Sequence, residues 1–397
     1  MESITGFAVS WFFAPYLGSA DLDFFKRIKN SRYDFDVVQV AREHRDDRIL
    51  RSATSKINRF EVKLDHKNPR SPKEREKFIK EAVRLFDENK SRYSFIISHS
   101  NEMVSHEAAA KIKSAHPDVP WVAYFGDLFI KNPYVAYIPG YPLVDEDKEI
   151  ERGTLATADV VVTNNVYQQE LMFDGVSERF KSKSVVIPHC YDRSLYPDVP
   201  TEIKEDGKFT FAHLGALYHV KRTAEPVLRA ADRLVEIYPK YKNRFEVLFY
   251  GANPYHTDIS VHAFMNARNS VRFEDQVSYT DSLRIMQQAD CLLLIDGLFN
   301  EKDDGLSFSP FLPGKLMDYM GARKPIMAVT MSNGPTADII RSSGNLIADD
   351  KIDRIAYVMK RYIDGKVTPT FDTFKEYDVS AVAEKMDSAI STALKGN

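Results

Sequence analysis

The chain has 397 residues, 44% of them hydrophobic and 28% charged, with a net charge of −3; at roughly 100–200 residues per domain this implies two folded domains and excludes a disordered or low-complexity protein. No apolar run reaches the ~18 residues of a membrane-spanning helix, and the opening Met1-Glu2, with Lys26 as the first basic residue, does not read as the basic end of a signal peptide. Cys190 and Cys291 fit no metal or redox spacing and are expected to be buried free thiols in a reducing cytoplasm.

Predicted elements alternate from the start. "ITGFAVSWFF" reads as a strand, "DLDFFKRIKN" as an amphipathic helix and "FDVVQVA" as a second strand. "SPKEREKFIKEAVRLFDENK" is a long helix with Ser71 at the N-cap and Pro72 in the first position. Strand "YSFIISHS", helix "EAAAKIKSAH" and strands "PWVAYFGD", "ADVVVTNN" and "SVVIPHCYD" complete the first half. A polar stretch with two prolines, "YPDVPTEIKEDGK" (196–208), reads as a linker. The alternation then restarts with strand "FTFAHLG", helix "AEPVLRAADRLVEIY" and strands "FEVLFYG" and "VRFEDQV". Helix "DSLRIMQQA", strand "CLLLID", a Pro-Gly-Lys helix start, strand "KPIMAV" and the pair "TADIIRSSG" and "NLIADD" follow, and residues 352–397 read as helical with one interruption. β-rich runs separated by helices predict parallel sheets covered on both faces, hence two doubly wound α/β domains. In that architecture ligands bind beyond the carboxyl ends of the strands.

Charge is unevenly spread. Between Lys26 and Arg92 stand 20 Lys/Arg and 12 Asp/Glu, a local +8 that leaves −11 for the rest. Such a segment suits an anionic partner, and it equally suits solvated helix faces.

Two stretches carry candidate chemistry. In "HLGALYHVKR" (213–222) a strand ends at Leu214, Gly215 follows, and Lys221 and Arg222 are expected to open the next helix. Glycine allows close backbone approach, a helix start offers free N–H groups, and Arg can grip phosphate in a forked pair. A plain turn with two solvated bases is the alternative. In "SPFLPGKLMDYMGARKPIMAV" (309–329), Gly314 and Lys315 begin a helix and Asp318 follows three residues on, sharing a face with Lys315. The carboxylate suits the paired hydroxyls of a ribose, or an intrahelical pair with Lys315. The triplets "DFD" (34–36) and "DED" (145–147) are read as a strand start and a polar loop, so neither is expected to bind a metal.

Three segments, "GALYHVKRTAEPVLRA", "YTDSLRIMQQADCLLLID" and "PGKLMDYMGARKPIMAV", in this order and spacing, resemble the nucleotide-sugar domain of GT-B glycosyltransferases, particularly the retaining family-4 enzymes of bacterial surface polysaccharide synthesis. "APYLGSADLDFFK", "PWVAYFGDLFIKNPY", "ADVVVTNNVYQQELM" and "VIPHCYD" resemble that family's acceptor domain. The resemblance implies two Rossmann-like domains with a deep interdomain cleft: 1–200 for the acceptor, 201–370 for the nucleotide sugar, and a C-terminal helix in 371–397 crossing back to the first domain. It implies that Gly215, Lys221 and Arg222 meet the donor diphosphate, with Lys221 and Arg222 neutralising the leaving group. Gly314 and Lys315 would add helix-start N–H groups, Asp318 would bind the ribose, Val277 would meet the base through its backbone, and Gly18 would lie at the sugar-side loop with Ser19. His99 and Ser19 would line the acceptor side. Two departures stand out. Pro310 occupies the place of the family's first Glu, with Ser309 a weak substitute nearby, and Gly126-Asp127 replaces its His, so that Asp127 is the candidate polar group near the reacting carbon.

The expected activity is sugar transfer from a nucleoside diphosphate sugar to a saccharide acceptor, free or lipid-linked, with retention of configuration. No cofactor or metal is expected, nor a nucleic-acid partner. The expected location is cytoplasmic, with peripheral attachment to an anionic membrane face through the basic segment. The alternatives are a nucleotide-sugar epimerase and a non-catalytic binding protein on the same fold.

Overall fold

The computed structural model describes residues 4–43, 45–65, 68, 71–100, 102–134, 145–199, 207–217, 221–251 and 266–396. Residues 200–206 of the expected linker and 218–220 of the Gly215–Arg222 loop lie outside them. The chain divides into two units, Met1–Cys190 with Val379–Asn397, and Tyr191–Asp378.

The first unit runs β1 (Thr5–Ser10), α1 (Ser19–Ile28), β2 (Asp34–Val40), β3 (Ile57–Val62), α2 (Pro72–Asn89), β4 (Tyr93–Ser100), α3 (Val104–Ala115), β5 (Trp121–Phe125), α4 (Asp145–Thr157), β6 (Val160–Thr163), α5 (Val166–Phe173), α6 (Glu178–Lys181) and β7 (Ser184–Val186). The strands form one parallel sheet in the order β3-β2-β1-β4-β5-β6-β7. Its central strands are buried on both faces, which is why they read as unbroken apolar runs. Phe7, Val9 and Trp11 share a core with Phe78 and Phe86 of α2 and Ile112 of α3. Gly6 gives room for the Phe95 ring, which a Cβ would meet at 2.3 Å.

Some details depart from the sequence reading. Ser71 occupies the N-cap of α2, but its side chain makes no capping bond, so Pro72 marks the start by its backbone geometry alone. The triplet at 145–147 is not a polar loop. Its acids fill the first turn of α4, where the helix dipole favours negative charge, and Asp147 accepts from Arg75 Nη1 of α2 at 2.6 Å. Strand β3 was not anticipated: "INRFEV" is too polar to stand out, and its ladder to β2 makes it a strand.

The second unit runs β8 (Phe209–Leu214), α7 (Glu225–Ile237), β9 (Phe245–Tyr250), β10 (Val271–Glu274), α8 (Tyr279–Gln288), β11 (Cys291–Ile295), α9 (Glu301–Asp304), α10 (Gly314–Ala322), β12 (Ile326–Val329), α11 (Pro335–Ser342), β13 (Leu346–Ala348) and α12 (Ile352–Ile363). Its parallel sheet has the order β10-β9-β8-β11-β12-β13. Val227, Leu228, Ala231, Leu234 and Val235 form the helical stripe of α7 and pack with Ile355, Val358, Met359 and Tyr362 of α12. Each large apolar side chain buried there contributes about 1.5–3 kcal/mol.

The last helix, α13 (Val379–Lys395), belongs to the first unit and packs against α1 and the β4–β6 part of its sheet. Asp387 of α13 accepts from Ser31 Oγ and, at 2.9 Å, from Arg32 N. Cys190 and Cys291 are buried free thiols. Strand order reverses between β1 and β4 in one sheet and between β8 and β11 in the other. Those two switch points are where doubly wound sheets bind ligands.

Candidate functional site

At the switch point of the second unit, β8 delivers His213 and Leu214 and then turns at Gly215. Gly215 has φ +103°, a left-handed conformation that favours glycine, and its N–H donates to Tyr250 O at 2.9 Å. A Cβ there would lie 3.4 Å from Lys315 Nζ, so the turn covers the lysine closely.

Lys315 comes from α10, which starts after Pro313 with Gly314 as its first residue. The opposite face of α10 is buried through Leu316, Met317, Tyr319 and Met320. Tyr319 Oη accepts from Leu214 N at 2.9 Å, tying this helix to the end of β8. Lys315 Nζ thereby lies 3.2 Å from His213 Nε2 and 3.5 Å from Ala216 O. Burial first, then the charge of Arg222, pushes the Lys315 amino group well below the ordinary lysine range, with Asp296 opposing. Among the described residues no carboxylate lies within ion-pair distance of Nζ.

Lys221 and Arg222 do not open a helix. Pro226 in the first turn of α7 favours a start at Glu225, and Leu298 N holds Lys221 O at 3.2 Å in the loop before it. Arg222 is buried and donates from Nη2 to Asp296 Oδ1 at 3.1 Å. Lys221 donates to Asp304 Oδ2 at 2.7 Å, and the Asp304 side chain is fully buried.

Asp296, one residue past β11, was not singled out in the sequence. Besides Arg222, it accepts from Gly297 N at 2.7 Å, Thr336 Oγ1 at 3.3 Å, Ser309 Oγ at 3.4 Å and Thr330 Oγ1 at 3.5 Å. The acid that closes "CLLLID" was the available signal. Ser309, expected as a weak substitute for a family Glu, turns inward to this carboxylate.

Asp318 and Lys315 diverge. Asp318 Oδ1 accepts from Tyr279 Oη at 3.0 Å, and its carbonyl accepts from Tyr196 Oη. Val277 is partly buried in the loop before α8, next to Ser278, whose Oγ caps that helix through Asp281 N at 3.1 Å. The second unit therefore brings together Gly215, Arg222, Gly314 and Lys315. Asp318 lies along α10, Lys221 is held by Asp304, and Val277 precedes α8.

At the switch point of the first unit, His99 ends β4 beside Ser10 of β1. Ser10 Oγ donates to Phe12 O, so it accepts from His99 Nδ1–H at 2.9 Å. His99 Nε2 then carries the lone pair. It is buried without a hydrogen-bond partner among the described residues, and Asp23 Oδ2 lies 3.9 Å away. The ring stacks against both Phe24 and Tyr124. Burial, joined by Arg27 and His189 and opposed by Asp23, lowers His99 to about 4, so it is neutral at physiological pH.

Asp23, Arg27 and His189 form the rest of this cluster and were not read from the sequence. His189 Nδ1 donates to Asp23 Oδ1 at 2.7 Å, and its Nε2 accepts from Asn164 Nδ2 at 3.1 Å. With both nitrogens engaged, His189 ties α1 to the turn after β5. Burial acts against the Asp23 charge, but Arg27, His189 and His99 hold the carboxyl well below the usual carboxylate range. Asn164 also donates to Gly126 O, and so supports the turn that carries Asp127, which is partly buried just past β5. Gly18 caps α1 and Ser19 begins it, both exposed. Asp21 in that first turn pairs with Arg42.

The basic segment between Lys26 and Arg92 is extensively paired. Arg45 meets Asp47, Arg48 meets Asp46, Lys80 meets Glu76, and Arg84 lies between Glu81 and Glu88. No helix among the described residues is long and apolar enough to cross a membrane, and none of their His, Cys, Asp and Glu side chains cluster to hold a metal ion.

No protein-family model matches the chain, and no curated protein sequence matches it. Solved structures do. Anabaena HepE in complex with UDP and glucose is similar with TM-score 0.66 at 15% identity, over 98% of this chain and 100% of that one. A UDP-forming trehalose-phosphate synthase of Burkholderia xenovorans, in complex with glucose-6-phosphate, is similar with TM-score 0.63 at 12% identity, over 97% and 99%. A Listeria monocytogenes protein assigned as a UDP-N-acetylglucosamine 2-epimerase is similar with TM-score 0.62 at 12% identity, over 100% and 98%. At these identities the likeness establishes the fold. The chain has the GT-B architecture of two Rossmann-like α/β units.

Proposed function

We propose that the protein is a glycosyltransferase that moves a sugar from a nucleoside diphosphate to a saccharide acceptor with retention of configuration. The observation that carries this reading is Lys315: a partly buried cation beneath a glycine turn at a sheet switch point, with Arg222 nearby and, among the described residues, no carboxylate partner of its own. Such a group lowers its energy when an anion arrives. A diphosphate supplies that anion, and the N–H groups at the start of α10 complete its cradle.

When the bond between the sugar and the diphosphate breaks, its electron pair stays on the leaving oxygen. Lys315, Arg222 and the α10 N–H groups offset that developing charge, so no metal is needed. The acceptor hydroxyl forms the new bond to the sugar carbon and passes its proton to the departing diphosphate oxygen. Lys221 contributes only on leaving Asp304, which makes it secondary to Arg222. Asp318 takes the ribose hydroxyls with Tyr279 orienting it, and the Val277 backbone meets the base. His99, with its bare Nε2, and Asp127 serve the acceptor side. The proposed acceptor feature is the saccharide itself. Ion pairing across the basic segment leaves less charge for a lipid surface.

A thermal-shift screen against UDP, GDP, ADP and dTDP tests donor binding; a ligand at 100 times its dissociation constant stabilises by about 2.7 kcal/mol. Mass analysis after incubation with the matching nucleotide sugar then distinguishes transfer, epimerisation and mere binding. No stabilisation by any of the four would remove the reading.

A further inference from the structure

We propose that His213 is the positioning residue of the anion site, with its Nε2 drawing Lys315 Nζ under the Gly215 turn. The inference rests on the donor-site reading above and gives a role to His213, the first residue of the 213–222 stretch, which the sequence reading left without one.

The geometry assigns the ring's protons. His213 is fully buried, and its Nδ1 lies 2.9 Å from Leu293 O, a carbonyl that can only accept. Nδ1 therefore carries the hydrogen. That leaves the lone pair on Nε2, which faces Lys315 Nζ at 3.2 Å, where an ammonium can only donate. The ring is thus a neutral acceptor for a partly buried cation. Tyr319 of α10 reinforces the arrangement, since its hydroxyl reaches the same Leu293 carbonyl at 3.4 Å and receives Leu214 N.

The surrounding charges keep the ring neutral. Burial first, then Lys315 and Arg222, hold His213 well below its ordinary value, while the Leu293 and Gly215 carbonyls oppose. Asp296 is the acid that acts on Lys315. A carboxylate in place of His213 would hold Lys315 as Asp304 holds Lys221, and would compete with an incoming phosphate. A neutral imidazole aims the lysine and leaves its charge available.

Three measurements test this. In the full-length protein, nitrogen-15 shifts of labelled histidine should show His213 protonated on Nδ1 and bare on Nε2. The reverse tautomer would overturn the proposal, because it cannot accept from Lys315. Calorimetric titration with pyrophosphate at pH 7.5 should show at least about tenfold weaker binding for His213→Phe, which keeps an aromatic ring beside Phe249. His213→Gln restores an acceptor oxygen near the Nε2 position and should recover most of the affinity. The titration midpoint of Lys315, followed by carbon-13 at its ε-methylene, should fall further in His213→Phe, which lost packing alone would not cause. Parent-like pyrophosphate binding and Lys315 midpoint in His213→Phe would overturn the role of His213. If Lys315→Ala also binds pyrophosphate like the parent, the donor-site reading itself is wrong. If only Lys315→Ala weakens binding, that reading stands and the His213 proposal alone fails.

Discussion

Replacing Asp296 by asparagine should destabilise the Tyr191–Asp378 unit while leaving its shape almost unchanged. The carboxylate is buried, and it faces Arg222 Nη2 at 3.1 Å. At an effective dielectric near 20, Coulomb attraction at that distance is about 5 kcal/mol. Removing one partner of a buried pair typically costs about 3–5 kcal/mol, because the other charge stays buried. Asparagine keeps one acceptor oxygen for Gly297 N or Arg222, and the hydroxyls of Ser309, Thr330 and Thr336 can rotate to accept from its amide. The lower end, about 3 kcal/mol, is therefore expected. For a unit of 150–250 residues that lowers the melting temperature by roughly 6–12 °C. Differential scanning calorimetry on parent and Asp296→Asn measures it. The paired change Asp296→Asn with Arg222→Gln should cost less than the two single changes added together, since neither charge is then left alone. A loss below about 2 °C, or strict additivity in the cycle, would refute the view that Asp296 anchors Arg222.

Asp318→Asn should lose roughly 10–100-fold in donor affinity, from hydrogen bonds to a charged group worth about 1.5–3 kcal/mol, while Asp318→Glu retains much of it; parent-like titrations for Asn would remove the ribose role. Glu151 of α4 is raised from 4.5 to about 7 by burial, against the N–H groups of Ile130 and Phe129. Its folded form therefore binds more protons than the unfolded chain across that window, and stability falls as pH rises through it. Denaturant titrations should show Glu151→Gln gaining about 3 kcal/mol on the parent between pH 4.5 and pH 8, and a constant difference would contradict this. His99 is lowered to about 4, so its contribution runs the other way and is lost as pH falls from 6.5 to 4; His99→Gln should flatten that acid limb in the same titrations. Transfer activity, once its donor is found, should survive EDTA, and loss restored by Mg²⁺ would show that a cation offsets the leaving charge instead.

Local sequence determined the α/β alternation, because the β-rich runs and the 3.6-residue stripe of α7 are properties of neighbouring residues. It also located the Gly215 turn and the start of α10, since a positive φ and a proline-led helix are local backbone matters. Which charges meet was decided by the tertiary structure. Lys315 and Asp318 are three apart in sequence, yet one reaches His213 of β8 and the other Tyr279 of α8. Arg222 and Lys221 are adjacent, yet Asp296 takes one and Asp304 the other. The acids at 145–147 start a helix whose Asp147 meets Arg75 of α2, and β3 is a strand because β2 lies beside it. In the first unit, Asp23 on α1 meets His189 only when the sheet brings the ends of its strands together. The physical reason is common to all of these. Backbone conformation is set by neighbours in sequence, whereas a buried ion pair or tautomer is set by whichever side chains the crossover topology places within about 3 Å.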